Sequence, residues 1–326
     1  FDLWKGESDA QPYIPDMIDD FVARGFAHES QGALVVDVAR PDDKKELPPC
    51  IVRKHDGAAL YATSDLATLI EREKDYHPGH VIYVVDKRQE LHFTQVFRVA
   101  KMTGIVGEDT PLTFIGFGTM NGTDGKPFKT RDGGVMRLEM LISDVSEKVY
   151  EKILENRDIS EEEAREISKI IGLAAIKYGD LSNQATKDYV FDIDRFTSFE
   201  GNTGPYILYT IVRIKSILKK YAEQGNELSA NGKIVDFGSE SERSLKLVLT
   251  QFNDVMEASY NELAPHRVCA YIYEIANAFN RFYHENNIMN EENADKQKSY
   301  INLLTLTKKV LEQCIDLLAI DAPERM

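Results

Sequence analysis

The hydrophobic pattern of this 326-residue chain changes once, at a glycine-rich stretch that covers residues 116–134. Before this stretch, short runs rich in valine and isoleucine alternate with helical segments. After it, the apolar residues recur with a helical period to the end of the sequence. Such a change predicts two parts of different structural class, and 43% hydrophobic residues suffice to bury a substantial core.

The first part contains four runs that predict strands, because each is β-branched and bounded by Gly, Pro or Asp. They are LVVDV (34–38), CIVRK (50–54), HVIYVVD (80–86) and LTFIGFG (112–118). The last two flank LHFTQVFRVAKMTG, whose apolar spacing predicts a helix that ends at Gly104. A strand, a helix and a second strand form a parallel βαβ unit, so we predict an α/β, Rossmann-like domain in residues 1–200.

The second part is predicted to be an all-α helical bundle in residues 201–326. Just before it, Ser160 and Glu163 have the spacing of a capping box at a helix start. Further helices are predicted from the apolar period at about 205–223, 239–263, 266–286 and 293–318.

Composition excludes several classes of protein. Cys50, Cys269 and Cys314 lie far apart without a CxxC spacing, which argues against a cysteine zinc site and suits a reducing cytoplasm. No apolar run approaches the ~18–20 residues that a membrane span needs. Because the sequence starts without methionine or a signal-like segment, we expect a piece of a longer protein.

The net charge of −15 argues against a protein that coats nucleic acid, but the charge is uneven. Residues 203–222 contain several cations and no acid. These cations are Arg213, Lys215, Lys219 and Lys220, and Tyr206, Tyr209 and Tyr221 are interleaved with them. Rings and cations together are typical of a single-stranded nucleic-acid surface. The alternative is that the tyrosines face the core and the lysines form a solvated surface.

Two further patterns indicate ligand binding. Glycines with Lys126, Lys129 and Arg131 between them suit a loop that closes on phosphates, although a solvated hairpin fits equally well. The loop does not match the GxxxxGK[ST] pattern. The second pattern is a set of polar residues near the predicted strand ends and helix starts, where α/β folds bind ligands: Tyr61, Asp65, Gln89 and His92. A helix cap is the alternative role for Asp65. We interpret the HPGH sequence at 77–80 as a turn.

Four stretches together resemble the carboxy-terminal half of a class I arginyl-tRNA synthetase. They are LYATSDLA (60–67) with YVVDKRQELHFTQVF (83–97), DGKPFKTRDGG (124–134), IKYGDLSNQATKDYVFDIDRFTSFEGNTGPYILY (176–209) and APHRVCAYIYEIANAFNRFYHE (264–285). The second is similar to the family's variant of the KMSKS loop, and the fourth is similar to the core helix of a DALR-type anticodon-binding bundle.

The resemblance implies roles for residues around the substrates. Tyr61, Asp65 and Gln89 match positions that recognise arginine, with Asp65 paired to the guanidinium. Lys126 and Lys129 match the two catalytic lysines of the KMSKS loop.

The resemblance also implies binding of ATP and tRNA. Gly118 and Met120 would border ATP together with Lys129, and Mg²⁺ would accompany the nucleotide without a tightly bound metal site. The implied tRNA-binding residues are Tyr206, Tyr209, Arg213, Tyr283 and Met326. The implied partners are L-arginine, ATP and arginine tRNA, for a cytoplasmic and monomeric enzyme with no membrane association.

The family's HIGH motif is not among these 326 residues, and the HPGH sequence follows the predicted arginine site instead of preceding it. We therefore expect a fragment that is inactive alone, comprising the second half of the catalytic domain and the anticodon-binding domain. One alternative is a standalone tRNA-binding module derived from such a synthetase. Another is a nucleotidyltransferase whose substrate places a different group opposite Asp65.

Overall fold

The computed structural model describes residues 1–126, 136–154, 159–229, 231–235 and 237–326. Within them the chain forms two compact units, Phe1–Gly118 and Thr119–Met326.

The first unit is α/β, as the sequence predicts. Its helices are α1 (Ile14–Ala23), α2 (Tyr61–Tyr76) and α3 (Glu90–Thr103), and its strands are β1 (Ala27–Ser30), β2 (Ala33–Val36), β3 (Cys50–Arg53), β4 (Val81–Asp86) and β5 (Leu112–Phe117). Strands β4 and β5 are parallel, in a register that pairs Val81 with Leu112, and α3 connects them. The predicted βαβ unit is therefore confirmed, including the helix end at Gly104, whose φ is +75°.

The other three strands form a separate antiparallel sheet in the order β1-β2-β3. Gln31 and Gly32 join β1 to β2, and both have positive φ (50° and 80°), the conformation of a tight hairpin turn. The sequence of β1, AHES, has no apolar run, because most of the strand is exposed. The strand therefore gave no signal in the hydrophobic pattern.

An aromatic cluster fixes α3 on the parallel pair. Tyr83 of β4 lies 4.6 Å from Phe93 and 5.5 Å from Phe97, measured between ring centroids. Phe93 also lies 5.7 Å from Phe114 of β5. Rings at these separations add to the burial energy, so the start of α3 is held firmly against the sheet.

In the residues that the structure describes, the second unit is helical apart from a short parallel pair, β6 (Met120–Asn121) and β7 (Tyr189–Val190). Its helices are α4 (Leu138–Leu154), α5 (Glu161–Leu181), α6 (Ile193–Phe196), α7 (Gly204–Glu223), α8 (Glu240–Thr250), α9 (Phe252–Asn261), α10 (Pro265–Glu285) and α11 (Ala294–Leu317). The predicted cap of α5 is confirmed, since the Glu163 N–H donates to Ser160 Oγ at 3.3 Å. The single helix expected over 239–263 is two helices that meet at Gln251. The sequence has no Gly or Pro at this break, so nothing in it predicted the interruption.

One buried core joins α4, α5, α7, α8, α10 and α11. Tyr178 of α5 illustrates the connection, because its hydroxyl lies 2.6 Å from Asn202 Oδ1 and 2.9 Å from the carbonyl oxygen of Cys269 on α10. The core thus contains residues from both sides of position 200, and the domain boundary placed there stays a prediction.

Candidate functional site

The first candidate site lies where α2 begins, and its local structure decides between the two roles of Asp65. The helix starts at Tyr61, with Leu60 at the N-cap position. The Leu60 N–H donates to Thr63 Oγ1 at 3.0 Å, and that hydroxyl donates to the Val52 carbonyl at 2.8 Å. Asp65 is therefore in the second turn of the helix, not at its cap. The capping interpretation of Asp65 is wrong.

The carboxylate of Asp65 instead contacts a histidine of the next helix. His92 Nε2 lies 2.6 Å from Asp65 Oδ2, and the two side chains are 25% and 29% exposed. The His92 ring packs edge-on against Phe93 at 4.9 Å, so it is oriented by the aromatic cluster below it. Asp65 Oδ1 has no hydrogen bond within the described part of the chain. The site thus presents one held and one available carboxylate oxygen.

Tyr61 and Gln89 mark the starts of the same two helices. Tyr61 is the first residue of α2 and is 75% exposed; Gln89 directly precedes α3 and is also exposed. Among the described residues no hydrogen bond joins either side chain to Asp65. Their role in arginine recognition stays a prediction.

Tyr83 is a polar residue at this place that the sequence analysis did not single out as functional. Its hydroxyl is buried and has no hydrogen-bond partner within the described residues. Burial raises the pKa of Tyr83 to about 12, so the hydroxyl remains a donor at neutral pH. The sequence gives one clue to this residue: Tyr83 is a polar-tipped side chain within the apolar run VIYVVD.

The glycine-rich loop is described only in part. Lys126 is exposed, its N–H donates to Asp124 Oδ1 at 3.0 Å, and its carbonyl accepts from the Gly122 N–H at 2.8 Å. Lys129 and Arg131 lie outside the described residues. The catalytic roles assigned to the two lysines of this loop stay predictions.

The two positions predicted to border ATP flank the division between the units. Gly118 ends the first unit, and Met120 begins β6 in the second. The Thr119 N–H donates to Asp188 Oδ1 at 2.8 Å, which fixes the start of β6 beside β7.

The second candidate site is a hydrogen-bonded network between α7 and α10. The Tyr206 hydroxyl donates to Asn277 Oδ1 at 2.9 Å and accepts from Asn280 Nδ2 at 2.8 Å. Arg213 donates to Asn280 Oδ1 at 3.2 Å and to the Tyr209 hydroxyl at 2.7 Å. These five residues form the α7–α10 network, which presents both rings and polar groups on one side of the bundle.

Ring contacts extend this network to a third tyrosine. The Arg213 guanidinium carbon lies 4.6 Å from the centroid of the Tyr209 ring and 5.4 Å from that of Tyr283. Four of the five residues predicted to bind tRNA are thus brought together. Tyr221 differs, because it is buried in the bundle core, as the alternative of core-facing tyrosines predicts.

The structure corrects the expectation that the cations of α7 have no neighbouring acid. Lys215 Nζ lies 2.7 Å from Glu324 and 3.7 Å from Glu312, both from the carboxy-terminal part of the sequence. The acid-free stretch of sequence is therefore not an acid-free surface in the fold.

The fifth predicted tRNA-binding residue, Met326, lies at the carboxy-terminal end of this unit. It is half-buried against the bundle core, next to an ion pair between Arg325 and Glu163. Its surroundings do not test the predicted contact with tRNA, which stays a prediction.

Several other chemistries find no support in the described residues. The part of the chain that the structure covers has no group of three or more His, Cys, Asp or Glu side chains that could hold a metal ion. No described helix is both long and apolar enough to cross a membrane. All three cysteines are buried and unpaired, and burial raises the pKa of each thiol to about 12, which disfavours the reactive thiolate.

Two family models match this chain. The catalytic domain of class I (R) tRNA synthetases matches residues 1–193, and the DALR anticodon-binding domain matches residues 207–326. The chain belongs to the class I (R) tRNA synthetase family, and the α/β fold followed by a helical anticodon-binding bundle is confirmed.

Individual relatives agree with this assignment. The chain is 60% identical to an arginine–tRNA ligase of Agathobacter rectalis and 59% identical to one of Alkaliphilus oremlandii, with 100% of this chain and 56% and 55% of those proteins covered. It also matches the crystal structure of arginyl-tRNA synthetase from Plasmodium falciparum with a TM-score of 0.81 at 25% identity, covering 99% of this chain and 54% of that one. The chain therefore spans about half the length of the curated relatives it matches.

Proposed function

We propose that this chain supplies the arginine pocket, the phosphate-binding loop and the anticodon-binding bundle of an arginine–tRNA ligase. In the proposed reaction, L-arginine and ATP give arginyl-adenylate and pyrophosphate. A hydroxyl of arginine tRNA then takes the arginyl group, and AMP leaves. The single observation that carries the proposal is Asp65, a partly buried carboxylate held on one oxygen and available on the other. A planar guanidinium is the cation that best matches a carboxylate.

The activation step needs positioning more than proton transfer. The arginine carboxylate attacks the α-phosphate of ATP, the bond to the β-phosphate breaks, and pyrophosphate leaves. Charge that develops on the phosphates is stabilised by cations placed in advance. We assign this role to Lys126 and Lys129, with Gly118 and Met120 beside the nucleotide. Mg²⁺ enters with ATP as part of the substrate.

Around the arginine, Tyr61 and Gln89 are proposed to close over the ligand at Asp65. Both stand at helix starts that flank the carboxylate, and both have polar groups free to turn toward it. Their hydrogen bonds would orient the substrate, while Asp65 supplies the counter-charge.

The tRNA is proposed to dock on the α7–α10 network, with Tyr283 and Met326 at its margin. Exposed rings can stack on bases of a single-stranded loop, and Arg213 can contact both a ring face and a phosphate. We further propose that the enzyme works in the cytoplasm as a monomer.

The 326 residues contain no HIGH motif before the arginine pocket, so we propose that this chain alone does not form arginyl-adenylate. The test uses a joined enzyme, in which this chain is fused to the part of the Agathobacter rectalis relative that lies outside the match. Pyrophosphate exchange and tRNA charging are measured with arginine, ATP and arginine tRNA. The joined enzyme is expected to turn over, whereas the chain alone is expected to show none.

Two results would contradict the proposal. Turnover by the chain alone at the rate of the joined enzyme would show that no further segment is needed. Activation of a different amino acid in preference to arginine would remove Asp65 as a guanidinium partner.

A further inference from the structure

The contact between Asp65 and His92 assigns a role to a residue that has none in the proposed function. We propose that His92 is a positioning residue, which holds the Asp65 carboxylate in the orientation that accepts the guanidinium of arginine. This inference rests on the proposed function and deepens it, because it names a determinant of arginine affinity outside the three predicted ligands.

The geometry gives His92 a fixed base. Its neighbour Phe93 is 3% exposed and packs on Tyr83 and Phe114, so the first turn of α3 cannot shift without opening the aromatic cluster. The His92 ring lies edge-on to Phe93 and reaches Asp65 at 2.6 Å. An anchored donor thus meets a carboxylate on a separate helix.

The chemistry explains why one contact is enough. Each carboxylate oxygen can accept two hydrogen bonds. With Oδ2 already engaged by His92, the carboxylate plane is set, while Oδ1 and the second lone pair of Oδ2 remain open to a guanidinium fork. Without His92, Asp65 would be free to change rotamer, and the ligand would have to order it at an entropic cost.

Loss of His92 should therefore weaken ground-state binding of arginine and leave the chemical step largely intact. In the joined enzyme, His92→Leu is expected to raise KM for arginine about tenfold, the size of one charge-assisted hydrogen bond. The kcat and the KM for ATP should stay within about twofold of wild type. His92→Gln, whose amide N–H can extend toward Asp65, should recover most of the loss.

Two variants serve as references. His80→Leu removes a histidine of the same unit whose Nε2 bonds to Thr113 Oγ1 at 2.7 Å, and it should leave all constants unchanged. Asp65→Asn tests the proposed arginine pocket itself and should weaken arginine binding more than any His92 variant.

The outcomes separate the two levels of the argument. If Asp65→Asn impairs arginine binding but His92→Leu does not, the positioning role is overturned and the pocket stands. If neither variant changes KM for arginine, the proposed arginine pocket at Asp65 is contradicted as well. An equal loss for arginine and ATP, unrelieved by His92→Gln, would show that His92 merely supports the fold and would overturn the proposal.

Discussion

The two helix pairs that carry the candidate sites, α2–α3 and α7–α10, differ in how much of each site is already assembled. Between α2 and α3 the described residues form one side-chain hydrogen bond, Asp65 to His92, and the Tyr83 hydroxyl is left without a partner among them. Between α7 and α10 a continuous set of hydrogen bonds links three side chains of one helix to two of the other.

This difference fits the two kinds of ligand that we propose for the chain. A small cationic substrate can complete an open set of polar groups by surrounding itself with them, at the cost of ordering exposed side chains such as Tyr61. An RNA loop presents many weak contacts, so a surface whose rings and cation are already fixed loses less entropy on binding. We therefore expect single substitutions to act more strongly in the arginine pocket than on the RNA surface.

The largest expected effect is that of Asp65→Asn on arginine. Removing the counter-charge of a partly desolvated cation should cost about 2–5 kcal/mol in arginine affinity, measured as the arginine constant of the joined enzyme. Asparagine keeps the size of the side chain, and Asp65 does not cap its helix, so the fold should be retained. Asp19→Asn, an exposed change of equal charge on α1, is the control. A constant within about twofold of wild type would transfer the cation-binding role to another acid.

A smaller effect is expected when both tyrosines of α7 are removed. In this chain, Tyr206→Ala with Tyr209→Ala should weaken binding of arginine tRNA by about 1–3 kcal/mol for each stacked base. A low-salt titration measures the loss. Tyr260→Ala on α9, which removes a tyrosine that is 75% exposed, should bind like wild type. Equal affinity of the double variant and this control would show that the two tyrosines do not stack on bases of the tRNA.

The network itself can be tested through its bridging amide. Asn280→Ala removes the partner of both Tyr206 and Arg213, and it should weaken tRNA binding by about 1 kcal/mol, the scale of a net hydrogen bond. Asn277→Ala removes one bond at an exposed position and should have less effect. The same low-salt titration compares the two. If Asn277→Ala proves the more harmful, the preassembled network is not what binds RNA.

The smallest expected effect concerns the acid stability of the first unit, which contains α3. Arg98 holds Asp43 through two hydrogen bonds and lowers its pKa from 3.8 to about 2. A depressed carboxyl pKa stabilises the fold above the unfolded pKa, and this contribution is lost as pH falls from about 4 to about 2. Asp43→Asn should lower the melting temperature at neutral pH and flatten its decline over that interval. The neighbouring Asp42→Asn, measured in the same thermal scans, should keep the wild-type slope.

The fold was predictable wherever one short pattern determines one element. The strand–helix–strand unit around α3 and the cap at Ser160 both follow from local residue types, and both are present. β1 was missed because an exposed strand needs no apolar run. The break at Gln251 was missed because it is decided by packing of α8 and α9, not by a helix-breaking residue.

The sequence names candidate site residues, but it does not give the contacts between them. Asp65 and His92 are 27 positions apart, and their contact depends on how α2 and α3 pack. Lys215 and Glu324 are 109 positions apart, which is why a stretch without acids in sequence acquires one in space. Motif comparison identifies the side chains that a family uses. The packed structure shows which of these side chains contact one another.

The shared core of the second unit has a practical consequence for cutting and grafting this protein. The catalytic-domain match ends at residue 193, and the anticodon-binding match begins at residue 207. The apolar faces of α4 and α5 are nevertheless buried together with those of α7 and α10. A shortened protein that begins at residue 201 would expose that interface and lose the hydrogen bond from Tyr178 to α10, so it should be prone to aggregation. Anyone transplanting the proposed RNA-binding bundle onto another enzyme would have to carry α4 and α5 with it, because the buried core extends beyond the family match at residues 207–326.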